Sequence, residues 1–337
     1  MVKSIPKPSA ALDTVLMLLL AVEVAVIGYT LLQNDREMLA YLLALLVVVA
    51  AAVAITKRAF AVGGGWFSRT FLQHLGDPLK KAVTMKKWCD QSWQLVIHAS
   101  MSLFELVVLA DETWWHDTTT LWNQGTPTGA FPEHKFRTKL LYITQLAIWI
   151  YTAFSCKFLE EIRKDYVIMM AHHVVTIALV TGSYMLGHLP GGIIVLVLHD
   201  LSDIPLDLLK MANYLKLEGA NGLFVCEALF AVVFAGWFYL RLYLFPAKLL
   251  YSTFVESRDA TLPPAIARDP LAVFTHPNPP GYVLINGLFA ALYCLHIWWG
   301  FLLLRLLVGT LTKGAHATGK DEYEGMSDSE GEHEKDD

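Results

Sequence analysis

The residues best suited to chemistry lie in an almost wholly apolar stretch, residues 169–214. The stretch carries an adjacent pair of histidines and, beyond a short Gly/Pro turn, a second cluster made of one histidine and three carboxylates. These residues are His172, His173, His199, Asp200, Asp203 and Asp207. An ionised side chain at the centre of a bilayer costs roughly 2.5–3.5 kcal/mol, so polar residues at that depth are read as functional. An imidazole beside a carboxylate in a dry site can act as a general base or as a nucleophile.

Two neighbouring helices must bring these clusters together. The turn at about residues 187–191 joins two apolar segments, which therefore run antiparallel and adjacent. His172 precedes this turn by roughly 22 Å of helix, and Asp203 follows it by roughly 18 Å. On the second helix the polar residues recur at spacings of three and four, which places them on one face. They are Asp200, Asp203, Asp207 and Lys210. We therefore expect both clusters at one depth.

Three interpretations of the polar cluster are open. The side chains could satisfy one another as polar contacts between helices. They could bind iron or zinc, although adjacent histidines on a helix point about 100° apart and no HxxxH or HxxHH repeat occurs. They could instead carry metal-free acid–base or nucleophilic chemistry on a membrane-soluble substrate. The number of ionisable groups at one depth favours this third interpretation.

The composition is that of a membrane protein. Of the 337 residues, 55% are hydrophobic and 17% are charged. Apolar runs of about 20 residues recur, which is the length that crosses about 30 Å of hydrocarbon. The predicted spans are 12–33, 38–56, 93–111, 140–157, 166–187, 191–210, 222–245 and 282–308. The net charge of -5 comes mostly from the tail after Lys320, and no basic patch with interleaved aromatic residues is present, so we expect no nucleic-acid partner.

The distribution of Lys and Arg orients these spans. Residues 57–87 hold seven Lys or Arg residues, which by the positive-inside rule places this segment and both termini in the cytosol. Within it, residues 63–65 are three glycines and predict a flexible loop. Residues 246–281 contain seven prolines and predict an irregular lumenal loop. The four cysteines occur singly, which favours neither a disulfide framework nor a zinc site.

The C-terminal tail is strongly acidic and lacks the apolar residues needed for a core, so we expect it to be disordered. Ser327 and Ser329 each have an acidic residue three positions later. This pattern suits phosphorylation by an acid-directed kinase, and a plain solubilising tail is an equal interpretation.

The run from His172 to Tyr214 resembles the longevity-assurance motif of ceramide synthases, membrane enzymes of the TLC-domain superfamily. The matching positions are His172-His173, Thr176, Ser183-Tyr184, Gly192, Leu198-His199-Asp200, Ser202-Asp203, Asp207 in place of the usual Glu, Lys210-Met211 and Asn213-Tyr214. The resemblance extends to Arg163–Tyr166, Arg241, Pro246, Asn286-Gly287, Leu295–Trp298 and Arg305, and covers about residues 83–312. Gly187 and Pro190 depart from the family pattern, but they lie in the turn, far from the polar cluster.

The resemblance implies an all-α polytopic membrane protein of about eight spans, six of which form a helical barrel around an apolar tunnel. It divides the chain into two N-terminal helices with a basic loop (1–82), a TLC domain (83–312) and an acidic tail (313–337). It implies transfer of a fatty acyl group from acyl-CoA, a co-substrate, to a long-chain sphingoid base in the endoplasmic reticulum membrane, without a cofactor. A homodimer or a small regulatory subunit fits the family.

The motif also suggests roles for individual residues. We expect His172, or else His173, to attack the thioester or deprotonate the amine, with Asp200 and Asp203 orienting and charge-balancing the imidazoles. A second set is expected to bind or orient substrate: His199, Ser202, Ser183, Tyr184 and Asn213. No metal ligand is assigned. The alternatives are a TLC-domain protein that binds or transfers lipid without chemistry, and a metal-dependent lipid hydroxylase.

Overall fold

Eight long helices make up the protein in a computed structural model that describes residues 10–71, 78–122, 134–160, 166–219, 222–276, 278 and 280–313. The helices are α1 (Ala10–Asn34), α2 (Arg36–Phe71), α3 (Pro78–Leu109), α4 (Phe136–Phe158), α5 (Tyr166–Leu186), α6 (Leu189–Tyr214), α7 (Val225–Thr261) and α8 (Tyr282–Lys313). The described residues contain no strand. Two short 3₁₀ turns, Thr113–Trp115 and Thr118–Leu121, follow α3.

Six of the helices are long and apolar enough to cross a membrane: α1, α2, α3, α5, α7 and α8. The other two, α4 and α6, are 23 and 26 residues long. At 1.5 Å per residue they measure about 35 and 39 Å, which also suffices to cross a bilayer. The four charged residues of α6 lie among neighbouring helices of the ring rather than against lipid. The prediction of an all-α polytopic membrane protein is confirmed.

Helices α3 to α8 form a closed ring. Each ring helix contacts the next in the order α3, α6, α7, α8, α5, α4, and α4 contacts α3 to close the circle. The ring order thus differs from the chain order. Helix α6 also contacts α4 and α5, so its polar face is enclosed on several sides. This enclosure allows the ionisable residues of the sequence motif to lie at membrane depth without meeting lipid.

The N-terminal hairpin packs outside this ring, with α1 against α5 and α2 against α3 and α4. Charged contacts fix it at both ends. Between α1 and α2, Asp35 accepts a hydrogen bond from Lys139 of α4 at 2.8 Å and from Tyr184 of α5 at 3.2 Å. At the other end, Asp13 pairs with Lys157 and accepts a hydrogen bond from Tyr166 at 2.7 Å.

Two predicted loops are in fact mostly helical. The basic segment 57–87 belongs largely to α2, which runs to Phe71, and to α3, which begins at Pro78. The three glycines at 63–65 lie within α2, because packing on α3 outweighs the low helix propensity of glycine. The segment 246–281 is also not an irregular loop throughout, since α7 continues to Thr261 and two single-turn helices follow, Pro264–Ala267 and Ala272–Thr275.

Helix α7 contains an unusually wide segment. Trp237–Leu250 forms a π-helix of 14 residues, and Pro246 within it lacks the backbone N–H that an α-helical ladder would need. Such segments are rare and are often found at functional sites. Here the wide turns carry the buried Arg241 and Phe245 toward the interior of the ring.

Candidate active site

A cavity of about 280 Å³ lies inside the ring. All six ring helices contribute to its wall, with Gln94, Gln145, His172, Asp203, Arg241 and Trp299 each coming from a different helix. Asp90, Tyr166 and Lys210 also line it, so it occupies the end of the ring where α3 and α5 begin and α6 ends. This end is the one that the Lys/Arg pattern predicts to face the cytosol.

The histidine pair lines the cavity from α5. The two rings lie 6.0 Å apart between centroids, and both meet Trp149 edge-on, at 5.4 Å for His172 and 5.5 Å for His173. Nδ1 of His173 lies 2.7 Å from the carbonyl oxygen of Met169. Because a carbonyl oxygen only accepts, Nδ1 carries the proton and a neutral His173 keeps a lone pair on Nε2. Nδ1 of His172 has no hydrogen-bond partner among the described residues.

His199 joins α6 to α8. Its Nδ1 lies 2.7 Å from the carbonyl oxygen of Val195, and its Nε2 lies 2.8 Å from Nε2 of His296. Its ring is nearly parallel to that of His172, with 6.5 Å between centroids and 19° between planes. The three imidazoles therefore form a row contributed by α5, α6 and α8.

Asp200 faces a second buried carboxyl group. Nε2 of Gln145 donates to Oδ2 of Asp200 at 2.7 Å and to Oε1 of Glu105 at 2.8 Å. Glu105 has no exposed surface, and its Oε2 has no hydrogen-bond partner in the part of the chain that the structure describes. One neutral amide therefore holds two carboxyl groups, and Asp200 is the member of this group that reaches the cavity together with Gln145.

Asp203 is paired with a buried guanidinium. Nη2 of Arg241 lies 2.5 Å from Oδ1 of Asp203 and 3.2 Å from the carbonyl oxygen of His199. Nε of Arg241 donates to Oγ of Ser202 at 2.7 Å, and the guanidinium lies over the ring of Trp237 at 4.2 Å. A planar fork of donors suits this multiple contact, which ties α7 to the turn of α6 that carries the motif.

Asp207 lies one turn after Asp203 on α6, toward the predicted cytosolic end. It accepts a hydrogen bond from Nε2 of Gln91 at 2.6 Å, and its Oδ2 lies 2.7 Å from Nδ1 of His98. Both partners come from α3, so this contact connects α3 and α6.

A second, much smaller cavity of about 20 Å³ continues toward the opposite end of the ring. Trp149 lines both cavities, with His172 in the wall of the first and His199 in the wall of the second. The far wall includes Tyr142, Thr176, Ser183 and Gly192. The row of imidazoles therefore lies at the junction between a polar cavity and an apolar one.

The structure brings together most of the residues singled out from the sequence. His172, His173, Asp200 and Asp203 line the larger cavity, and Ser183 and His199 line the smaller one. Ser202 hydrogen-bonds Arg241. Two residues lie in the wall of neither cavity: Tyr184, whose hydroxyl turns outward to Asp35, and Asn213, near the end of α6. Ser327 and Ser329 lie outside the described residues.

The geometry differs from expectation in one respect. Within the described ranges, Asp200 accepts a hydrogen bond from Gln145 and Asp203 accepts one from Arg241, and neither carboxylate bonds an imidazole. Three residues of this network were not expected from the sequence, namely His98, Glu105 and Gln145, and two others, Arg241 and His296, were identified only as matches to the family pattern. Glu105 carried the clearest signal, because an acidic residue inside an apolar run already marks a functional position. Nowhere in the described chain are three His, Cys, Asp or Glu side chains grouped so as to hold a metal ion.

Comparison with known proteins agrees with this architecture. The sequence profile of the TLC domain (TRAM_LAG1_CLN8) matches residues 87–305. Ceramide synthase 4 of Homo sapiens is 32% identical over 230 residues, which is 68% of this chain and 52% of that protein. Ceramide synthase 1 LOH3 of Arabidopsis thaliana is 31% identical over 267 residues, 79% of this chain and 81% of the relative. Ceramide synthase LOH2 of the same plant is 33% identical over 249 residues, 73% and 76% of the two chains.

The ring of helices and its enclosed polar residues define an integral membrane protein with an intramembrane site. The chain belongs to the TLC-domain family and, within it, to the family of ceramide synthases. It spans about half the length of the human relative and about four fifths of the Arabidopsis one.

Proposed function

We propose that this protein is a ceramide synthase, which transfers a fatty acyl group from acyl-CoA to the amine of a long-chain sphingoid base. The observation that carries the proposal is the convergence of His172, His173, Asp200 and Asp203 on one cavity enclosed by the TLC domain. The names of the curated relatives supply the reaction class.

The residues that line the two cavities suit a substrate with a polar end and an apolar chain. The larger cavity carries charged residues toward the predicted cytosolic end, where acyl-CoA arrives. The smaller cavity is lined mainly by apolar side chains and lies beyond the imidazoles. The smaller cavity has space for about one water molecule, so its walls must move apart to admit a fatty chain. A chain that extends past Trp149 in this direction would leave its thioester beside the histidine pair. We place this reaction in the endoplasmic reticulum membrane, with both termini of the chain in the cytosol.

The geometry supports different catalytic roles for the two histidines. His172 is not tied to the backbone through Nδ1, so its ring can turn to attack the thioester carbon, forming an acyl-imidazole and releasing CoA. His173 is held with its proton on Nδ1, so its Nε2 lone pair can take a proton from the amine as the amine attacks the acyl group. His172 keeps its own proton throughout, so the first step gives an acyl-imidazolium and CoA thiolate. The sphingoid ammonium loses one proton to solvent before it attacks, and the second proton goes to His173 as the bond between the acyl carbon and His172 breaks. The products are ceramide and neutral His172, and His173 passes its proton to solvent.

The carboxylates Asp203 and Asp200 support this step in different ways. Arg241 neutralises Asp203, and the pair holds the backbone of His199 in place. Asp200, by contrast, is bonded to a neutral amide and lines the cavity, so it can attract the ammonium group of the sphingoid base. This arrangement places the amine near the base that deprotonates it.

Purified protein should convert acyl-CoA and sphinganine into dihydroceramide, detected by mass spectrometry. Activity should persist in strong chelators, and it should be lost in the double variant H172A/H173A. His188 is a matched control because it lies at the other end of α5, in the wall of neither cavity, so H188A should retain activity. Binding of both lipids without product would identify a lipid-binding protein, and activity abolished by chelators would point to a metal-dependent enzyme.

A further inference from the structure

His296 of α8 is the imidazole of the row that neither the motif nor the proposed mechanism uses. It has no exposed surface, and its Nε2 lies 2.8 Å from Nε2 of His199. Neighbouring side chains hold it in place: Trp237 donates a hydrogen bond to its carbonyl oxygen at 3.1 Å, and Phe245 packs edge-on against its ring at 4.9 Å.

The hydrogen bonds decide which nitrogen carries each proton in this neutral pair. Nδ1 of His199 faces the carbonyl oxygen of Val195, which can only accept, so Nδ1 holds the proton. Nε2 of His199 therefore has a lone pair, and the proton between the two rings belongs to Nε2 of His296. His296 is thus the donor and His199 the acceptor.

This contact changes what His199 can do. Its proton is committed to Val195 and its lone pair to His296, so no nitrogen of a neutral His199 is free to attack a carbonyl carbon or to take a proton from an amine. His173 keeps its Nε2 lone pair, and Nδ1 of His172 makes no hydrogen bond to the described residues. His199 lies close enough to His172 to compete for the same acyl group, since their centroids are 6.5 Å apart.

We propose that His296 is a positioning residue that engages the lone pair of His199, so that the reactive imidazole nitrogens of the site are confined to His172 and His173. The inference rests on the proposed function for its biological meaning, because it explains why His199 is not an acyl acceptor although it lies close to His172. Physically, it states that the ring of His199 is less reactive than the rings of His172 and His173, and this difference can be measured without any acyl transfer.

The test uses diethyl pyrocarbonate, a small electrophile that modifies imidazole lone pairs, on the full-length protein in detergent, with the modified residues mapped by mass spectrometry. In the wild type, His172 and His173 should react and His199 should react about tenfold more slowly, the factor that a hydrogen bond of ordinary net strength supplies. In H296M, which fills the space but has no N–H, His199 should react as fast as the histidine pair. In H296Q, whose side-chain amide can donate from a similar position, the protection should return.

Tyr293 provides a matched control one turn away on α8. Its hydroxyl donates to the carbonyl oxygen of Leu242 at 3.3 Å, and its ring packs against Phe245. Y293F removes one hydrogen bond from the same region without touching the imidazole pair, so His199 should stay protected. Loss of protection in Y293F would show that loosened packing alone exposes His199, and would overturn the proposal.

Two further results would also overturn it. One is equal labelling of all three histidines in the wild type, which is measurable even if H296M does not fold. The other is continued protection of His199 in H296M while His172 and His173 still react. Ceramide formation is measured separately on the same samples, where H296M should lower kcat with little change in KM for acyl-CoA and H296Q should restore it. A wild type that makes no ceramide but shows the expected labelling would refute the proposed function and leave this inference standing.

Discussion

Arg241 and Asp203 form an ion pair between α7 and α6 inside the ring, with 2.5 Å between Nη2 and Oδ1. The same guanidinium also reaches Ser202 and the carbonyl oxygen of His199. The pair therefore joins the π-helical segment of α7 to the part of α6 that carries the motif. Because both charges are inside the ring, the loss of one leaves the other without compensation.

Removing the guanidinium should destabilise the protein strongly. R241M should cost about 3 kcal/mol of folding free energy, the lower end of the loss for a fully buried pair, because it leaves Asp203 unpaired inside the ring with 22% of its side chain exposed. The double variant R241M/D203L should be more stable than R241M alone, since no charge then remains. Thermal unfolding in detergent measures both. A double variant as unstable as the sum of its single changes would show that the two residues act independently.

The two histidines should act in different steps of the reaction. After incubation with acyl-CoA alone, intact-protein mass should show one bound acyl group in the wild type and in H173Q, but none in H172Q, because His172 is the proposed acyl acceptor. Added sphinganine should then release the acyl group from the wild type far faster than from H173Q. An unmodified wild type that is fully active would eliminate the covalent route and leave general-base catalysis.

Gln145 should be needed for full acyl-transfer activity because it donates hydrogen bonds to two carboxyl groups at once. Q145L leaves both Asp200 and Glu105 without this donor, so acyl transfer should fall by about tenfold or more. Gln94 lines the same cavity and serves as the control. Q94L should keep most of the activity, and equal losses in both variants would mean that cavity polarity, rather than the position of Asp200, sets the rate.

Gly192 should tolerate no side chain. An added Cβ would lie 1.6 Å from the hydroxyl oxygen of Tyr142, whereas one on Gly191 would meet nothing within 4 Å. G192A should therefore lower the melting temperature and alter the acyl chain lengths that are accepted, because Tyr142 must move within the smaller cavity. G191A should behave like the wild type. Identical behaviour of the two variants would contradict the tight approach of α6 to α4.

The Asp35 contact should make the attachment of the N-terminal hairpin sensitive to acid. Although partial burial opposes ionisation, hydrogen bonds from Lys139 and from the backbone N–H of Met38 hold the pKa of Asp35 below its usual value. A carboxylate with a lowered folded-state pKa stabilises the fold above its ordinary pKa, and the contribution is lost as pH falls. D35N should therefore melt below the wild type near neutral pH, with the difference shrinking below about pH 4.

Asp111 offers the control for this prediction. It pairs with Arg137 at 2.6 Å on the surface, where solvent screens the interaction. D111N should therefore leave the melting temperature nearly unchanged at any pH. A pH-independent gap between D35N and the wild type would show that Asp35 acts through packing rather than through its charge.

The all-α membrane architecture and the main site residues could be predicted from the sequence for clear physical reasons. Apolar runs of span length leave few alternatives to membrane helices, and a short turn makes the helices of His172 and Asp200 antiparallel, so both residues lie at a similar depth. The two helices are not neighbours in the ring, which the short turn does not predict. The extensions of α2 and α7 could not be predicted in the same way. Glycine and proline signals at residues 63–65 and at Pro246 favour loops locally, and contacts between helices outweigh them.

The partners of the motif residues could not be predicted from local patterns in the sequence. Gln145, Arg241 and His296 lie 55, 38 and 97 residues from the side chains that they contact. Only the order of helices around the ring brings them together, and hydrophobic periodicity does not encode that order. Glu105 was partly predictable, because the sequence shows an acidic residue within an apolar run. Its partner, Gln145, was not predictable.

The ring order has a consequence for biosynthesis. Helix α8, which is synthesised after the other ring helices, fills the gap between α5 and α7. Until translation reaches it, a nascent chain has imidazoles and carboxylates in an open groove rather than a sealed compartment, and such groups are poorly tolerated by surrounding lipid. Premature termination before Tyr282 would therefore leave an incomplete and unstable intermediate for membrane quality control to remove.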